Sequence, residues 1–345
     1  MLKHIALIKS GTNQMGGLEK HTARIADAFT KDGIRVSLLT SKNRDIEEWI
    51  ANENPDAVLG MDRTCHATHL RAGNGVHISF LESRLLSEGR LKYWTCLCNP
   101  KHRKILRLEK ASFESPKLKK IIANSHMVKR QILEHYRVRP DQIEVIHNGV
   151  EWREMEEAFT TWQEGKISAC KELSLDPETF HFLFIGNGYT RKGLGPLLEG
   201  LARMKKRNFH LSVIGKDKNT DFFQARALIL GLKNQVRFFG PRPDIRKFYQ
   251  LADVLVIPSF YDPFANVTVE ALAMGLFVVT SKYNGGAEVL TSQSGLIIPD
   301  LLNLTSTLEE SIDHKKTVES SIALRLSISH LDFSSTLHKL IQACD

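Results

Sequence analysis

Ten short runs rich in Val, Ile, Leu and Phe, most separated by stretches of helical periodicity, constrain this chain more than any other feature. In the first half they are Lys3–Ile8, Ile34–Thr40, Ala57–Leu59, KKIIANS (119–125) and IEVIHNG (143–149). In the second they are FHFLFIG (180–186), FHLSVIG (209–215), VRFFG (236–240), DVLVIPS (253–259) and LFVVTS (276–281). Short runs rich in Val, Ile and Phe, separated by helices, suit parallel strands buried on both faces, and parallel strands need helical crossovers between them. The spacing supplies those crossovers, with helices expected over Leu18–Lys31, Met127–Tyr136, Leu194–Lys205, Asp221–Leu230, Ile245–Leu251 and Val267–Met274. The fold class is therefore α/β, and 345 residues suit two Rossmann-like doubly wound parallel-sheet domains. The strand-free polar stretch from Glu151 to Leu175 carries the boundary. It divides the chain into an N-terminal domain over 1–165, a C-terminal domain over 166–330 and a terminal helix over 331–345. Sheets of this kind bind ligands at the carboxyl ends of their strands, so the active site is expected in a cleft where the two domains face one another.

Several classes are excluded early. No uncharged apolar stretch reaches the ~18 residues of a membrane span, and the N-terminus lacks a signal peptide's apolar run and cleavage site, so a cytoplasmic protein is expected. Five cysteines make an odd, sparse set that fits free thiols. The groups Cys65, His66, His69 and Cys96, Cys98, His102 are too irregularly spaced for a zinc site.

The net charge of +8 is unevenly placed. From Arg84 to Arg139 there are fifteen Lys and Arg against four acids, an excess larger than that of the whole chain. Within it, Ile105, Leu106, Leu108 and Phe113 recur at helical spacing, which sends the cations to the opposite face. That is either a solvated helix surface or a basic amphipathic patch for an anionic membrane. Nucleic acid is disfavoured, because no helix-turn-helix, RNP, KH or zinc-finger pattern accompanies the charge.

Three motifs carry chemistry. The glycine loop 11–21, GTNQMGGLEKH, joins the first strand to the first helix, where backbone N–H groups favour anions; it is not the GxGxxG of a dinucleotide site. GNGYTRKG (186–193) places Arg191 and Lys192 at a helix start, where two cations and the helix dipole suit a diphosphate. In PSFYDPFANVTVEALAMG (258–275), Asp262 on a loop and Glu270 on the following helix flank the N–H groups of Phe264, Ala265, Asn266 and Val267, expected as unpaired phosphate donors.

At these residues the sequence resembles the family-4 retaining glycosyltransferases of the GT-B fold over most of its length. The resemblance implies that Gly16 and Gly17 approach the donor phosphates and that Arg191 and Lys192 clamp the diphosphate. It implies further that Glu270 holds the donor ribose and that Asp262, replacing the usual Glu, lies beside the transferred sugar. The RKG arrangement with VIGKDK (213–218), ending in Lys218, resembles the lipopolysaccharide core glucosyltransferase I branch. AGNGVH (72–77) resembles an acceptor-side segment of envelope glycosyltransferases, which puts Asp62, Gly75 and His77 on the acceptor side. The terminal helix, with Leu337, Leu340 and Ile341 on one stripe, is expected by fold analogy to return to the first domain.

The function that follows is transfer of a hexose, glucose from UDP-glucose, onto a lipid-linked saccharide such as lipopolysaccharide core. Retention without metal is expected, since the two cations stabilise the leaving diphosphate and no D-x-D element is present. The partners are the nucleotide sugar, a glycolipid acceptor and the inner face of the cytoplasmic membrane, bound peripherally by a monomer, with no cofactor and no nucleic acid. The rival readings are a GT-B nucleotide-sugar 2-epimerase and a non-enzymatic basic membrane or nucleic-acid binding module.

Overall fold

The computed structural model describes residues 2–9, 17–40 and 45–345. They form two compact units, residues 1–148 with 334–345 and residues 149–333. The first holds strands β1 (His4–Lys9), β2 (Arg35–Thr40), β3 (Ala57–Gly60), β4 (His69–Arg71), β5 (Lys120–Ala123) and β6 (Ile143–Val145) in the spatial order 2-1-3-4-5-6. The second holds β7 (Phe180–Ile185), β8 (Phe209–Ile214), β9 (Val236–Gly240), β10 (Val254–Ile257), β11 (Phe277–Ser281) and β12 (Gly295–Ile298) in the order 12-11-10-7-8-9. Every pairing in both sheets is parallel.

The second sheet is built as the apolar runs require. All residues of β7, β8, β10 and β11 are buried, because helices cover both faces. Helix Leu194–Arg203 shows how one face is covered: Leu194, Leu197, Leu198 and Leu201 repeat at helical spacing and each is 0% exposed. Fully burying one such side chain is worth about 1.5–3 kcal/mol. β4, with three residues, and β12, with four, are additional to the ten expected strands.

Residues 149–165, expected with the first domain, belong to the second unit. The reason is packing: helices Trp152–Thr160 and Trp162–Leu173 bury Met155, Trp162, Ala169, Cys170 and Leu173 there, and Gln250 Nε2 donates to the Ala158 carbonyl at 2.9 Å. At the other end, Leu340, Ala343 and Cys344 of helix Phe333–Cys344 pack among Ile5, Leu7, Ile25 and Phe29 in the core of the first unit.

Candidate active site

The strand order of the second sheet reverses between β7 and β10, with β8 and β9 on one side and β11 and β12 on the other. Crossovers leave in opposite directions at such a point, which opens a crevice at the carboxyl ends of the two strands. The loop after β7 carries Arg191 and Lys192, and the loop after β10 carries Asp262. The two loops touch because position 193 is glycine. Gly193 has φ +79°, and a Cβ there would lie 1.9 Å from the Pro258 carbonyl oxygen. The Phe260 N–H then donates to the Arg191 carbonyl at 2.8 Å.

Three charges converge there. Lys192 Nζ lies 2.5 Å from Asp262 Oδ2, and Arg191 Nη1 lies 3.2 Å from the same oxygen while also donating to the Tyr261 carbonyl at 2.9 Å. Lys192 and Asp262 are buried, whereas the Arg191 side chain is 35% exposed. Burial by itself raises the carboxyl's pKa, but the charge of Lys192, then of Arg191, outweighs it and holds Asp262 below the usual carboxylate range. Asp262 is therefore ionised at neutral pH, and one carboxylate faces two cations. Arg191 and Lys192 do not open a long helix as expected. They end a single turn, Tyr189–Lys192, immediately before helix Leu194–Arg203. That turn is pinned from β8: Asp217 Oδ2 accepts from the Tyr189 N–H at 2.7 Å, and Asn187 Oδ1 accepts from the Lys216 N–H at 2.9 Å. Lys218 is exposed beside it.

The loop after β10 is held by a residue that sequence reasoning missed. Buried Asn284 uses its amide in full, accepting from the Ala265 and Gly286 N–H groups at 3.0 Å each and donating to Thr268 Oγ1 at 3.2 Å and Thr280 Oγ1 at 2.9 Å. The Ala265 N–H is thus already paired, which corrects its expected place among the unpaired phosphate donors. Phe264 is buried, Asn266 exposed and Val267 half-buried at the start of helix Asn266–Ala273. Glu270, half-buried on that helix, accepts from Tyr249 Oη at 2.7 Å. Tyr249 was likewise unforeseen, since its contact spans 21 residues. A cavity of about 460 Å³ lined by Phe277, His314, Thr317 and Ser320 lies at the amino end of β11 and contains none of these residues.

The first unit gathers the residues expected on an acceptor side. Gly16 lies outside the described residues, and Gly17 opens helix Gly17–Lys31. Asp62, Gly75 and His77 are joined through Arg63, whose guanidinium reaches Asp62 Oδ1 at 3.4 Å, the Gly75 carbonyl at 3.3 Å and Glu109 Oε2 at 2.7 Å. Glu109 is 0% exposed and also accepts from the His77 N–H at 2.8 Å and Tyr136 Oη at 2.5 Å. His77 Nε2 and His102 Nδ1 are 3.0 Å apart. Burial, then the charge of Arg63, depresses the His77 pKa to about 4, so its imidazole is neutral at physiological pH. Arg63, Glu109 and Tyr136 carry no motif and were not foreseen.

With this geometry, the likeness to known proteins has a structural footing. Residues 168–313 match the family described as Glycosyl transferases group 1, and residues 41–152 match Glycosyltransferase Family 4. An uncharacterized glycosyltransferase of Methanocaldococcus jannaschii is 30% identical over 173 residues, 49% of this chain and 44% of that protein. A D-inositol 3-phosphate glycosyltransferase of Pseudarthrobacter chlorophenolicus is 28% identical over 188 residues, 52% of this chain and 43% of its own length. The chain thus spans less than half the length of these two relatives. The lipopolysaccharide glucosyltransferase WaaG of Escherichia coli K12 is 24% identical over 318 residues, 83% of this chain and 82% of that protein. The crystal structure of WaaG, a glycosyltransferase involved in lipopolysaccharide biosynthesis, has a TM-score of 0.76 at 20% identity and covers 99% of both chains. Anabaena HepE in complex with UDP-glucose has a TM-score of 0.69 at 16% identity over 98% of both chains. The fold is the α/β GT-B fold of these neighbours.

Proposed function

We propose that this chain, which belongs to the glycosyltransferases whose group 1 and family 4 domains it carries, moves a hexose from a nucleoside diphosphate sugar onto a saccharide acceptor. The observation that carries this reading is the junction of Lys192, Arg191 and Asp262 at the switch point of the second sheet. In glycosyl transfer the bond from the anomeric carbon to the diphosphate oxygen breaks, and its electron pair stays on that oxygen. Lys192, which is buried, and Arg191, which is partly exposed, stabilise this developing negative charge. Asp262 pre-orders both cations and, on the family resemblance, then lies beside the sugar. The acceptor hydroxyl bonds to the anomeric carbon from the face the diphosphate leaves, and its proton passes to the departing phosphate oxygen, so configuration is retained. Since two fixed cations supply the charge often supplied by a divalent metal, turnover is expected to persist in EDTA.

The UDP-glucose bound to the HepE neighbour makes UDP-glucose the first donor to test, and the extended likeness to WaaG favours a lipopolysaccharide-like acceptor. A surface in the first unit supports a membrane-held one. Helices His77–Glu88, Arg90–Cys98 and Pro100–Phe113 expose Leu86 (56%), Leu91 (81%) and Trp94 (61%) beside exposed Arg90, Lys92, Arg103, Lys104 and Arg107. Apolar side chains interleaved with cations suit an anionic lipid interface, at about 1 kcal/mol per cation near the surface.

The test incubates the purified protein with labelled UDP-glucose and other common UDP-hexoses, with and without deep-rough lipopolysaccharide and EDTA. Label entering the lipopolysaccharide in the presence of EDTA is expected. UDP release that does not depend on an acceptor points to the epimerase reading, and no transfer from any of these donors overturns the proposal.

A further inference from the structure

Glu270 does not stand alone on its helix. Tyr249, from helix Ile245–Leu251, is 0% exposed and places its phenol on one carboxylate oxygen, with Oη 2.7 Å from Glu270 Oε2. Burial, and then the adjacent Glu270 charge, push the phenol's pKa well above its usual value, so the proton stays on tyrosine and the hydroxyl remains a donor.

The backbone of Tyr249 is tied down in turn. Its carbonyl accepts from Lys316 Nζ at 3.4 Å. The Lys316 N–H donates to Asp253 Oδ1 at 3.3 Å, and its ammonium sits 4.5 Å from the centre of the Trp162 ring. Asp253, 0% exposed at the edge of β10, also accepts from Lys166 Nζ at 3.0 Å and from the His181 N–H at 2.9 Å. Burying Lys166, Asp253 and Lys316 is a costly way to fasten a helix, because charge loses its hydration there, and for Lys316 that loss lowers the pKa to about 7. Packing alone makes no use of the phenol hydroxyl, which a phenylalanine would lack. What the hydroxyl adds is orientation: a donor on Oε2 restricts how the Glu270 carboxylate can turn.

We propose that Tyr249 is a positioning residue that holds Glu270 in the orientation that receives the two hydroxyls of a nucleotide ribose. This rests on the reading of Glu270 as the donor's ribose ligand. A carboxylate free to rotate can bind a vicinal diol only after losing that freedom, and a carboxylate already fixed avoids the cost.

The test compares UDP with 2′,3′-dideoxy-UDP by calorimetry, on the wild-type full chain and on Tyr249→Phe. Wild type is expected to bind UDP about tenfold or more tighter than the dideoxy form, and Tyr249→Phe to bring the ratio down toward one through weaker UDP binding alone. In turnover, the KM for the sugar nucleotide rises while kcat changes less. Glu270→Asp, at a half-buried position, shortens the carboxylate away from Tyr249. It is expected to lose the same discrimination whether or not the Phe variant folds. Tyr249→Phe or Glu270→Asp retaining the wild-type ratio overturns the positioning role while leaving the donor site intact. Wild type that binds UDP without discriminating the ribose overturns the role of Glu270 and, with it, that of Tyr249. Wild type that binds no UDP overturns the donor reading itself.

Discussion

Each unit contains a buried carboxylate that collects several donors, and the two differ in what surrounds them. In the second unit, Asp262 faces two cations from one turn, Arg191 remains 35% exposed, and the cluster sits at a strand-order reversal. In the first, Glu109 is wholly buried, and Arg63, the His77 backbone and Tyr136 all donate to it. A carboxylate whose partners can turn to a ligand can serve a site, the role proposed for Asp262. One that consumes all its donors is a scaffold, and Glu109 acts by fixing the residues around His77.

The largest effect should come from breaking the scaffold. Glu109→Ala leaves the Arg63 guanidinium without its buried partner, so the loss is expected to reach about 3–5 kcal/mol in denaturant unfolding, the range for a broken buried pair. UDP affinity of the folded variant should be unchanged. A loss below about 1 kcal/mol would show that Glu109 is not the organiser of its unit.

Breaking the site should act on rate instead. Asp262→Asn is expected to lower kcat about 10²–10³-fold, as for loss of one charge-stabilising group, while UDP binds no more weakly because the two cations lose a competing anion. A drop in UDP affinity comparable to the drop in kcat would place Asp262 in ground-state binding rather than beside the sugar.

A smaller effect concerns pH. His77 has a depressed pKa of about 4 in the folded chain, against about 6.5 unfolded, so the unfolded chain binds its proton first as pH falls. The stability His77 contributes is complete above pH 6.5 and is lost between 6.5 and about 4. Unfolding midpoints of wild type and His77→Gln measured across that window should converge toward the acid end. Parallel curves would mean that the imidazole is not held neutral.

The smallest expected change concerns the surface. Leu91→Ser with Trp94→Ser should leave transfer to a soluble acceptor fragment within about twofold, since exposed substitutions stay within ~0.5 kcal/mol. Cosedimentation with anionic vesicles should fall. Unchanged cosedimentation would assign membrane binding, if present, to the cations alone.

The contrast also explains what could be read from the chain. β7, β8, β10 and β11 were legible because each is a short run rich in Val, Ile, Leu and Phe that is buried on both faces, and Arg191, Lys192, Asp262 and Glu270 because they sit in compact motifs at strand ends. β4 and β12 were not, since three or four residues hold too few positions for a period to register. Glu109, Asn284 and Tyr249 were hidden for another reason: each has partners 16 to 46 residues away, and only the packed chain brings them together. The boundary shifted from 165 to 148 because the helices between Trp152 and Leu173 are amphipathic, and which sheet they cover cannot be read from their own pattern.

The central claim is that the Lys192–Asp262–Arg191 junction is the donor diphosphate site. Its most direct test is calorimetric titration of UDP into wild type and Lys192→Met, a substitution that keeps the buried stem and removes the charge. The account predicts that wild type binds UDP and that the variant binds at least about tenfold more weakly, the range for a charge-assisted contact of roughly 1.5–3 kcal/mol. Equal UDP affinity in the two proteins would contradict it.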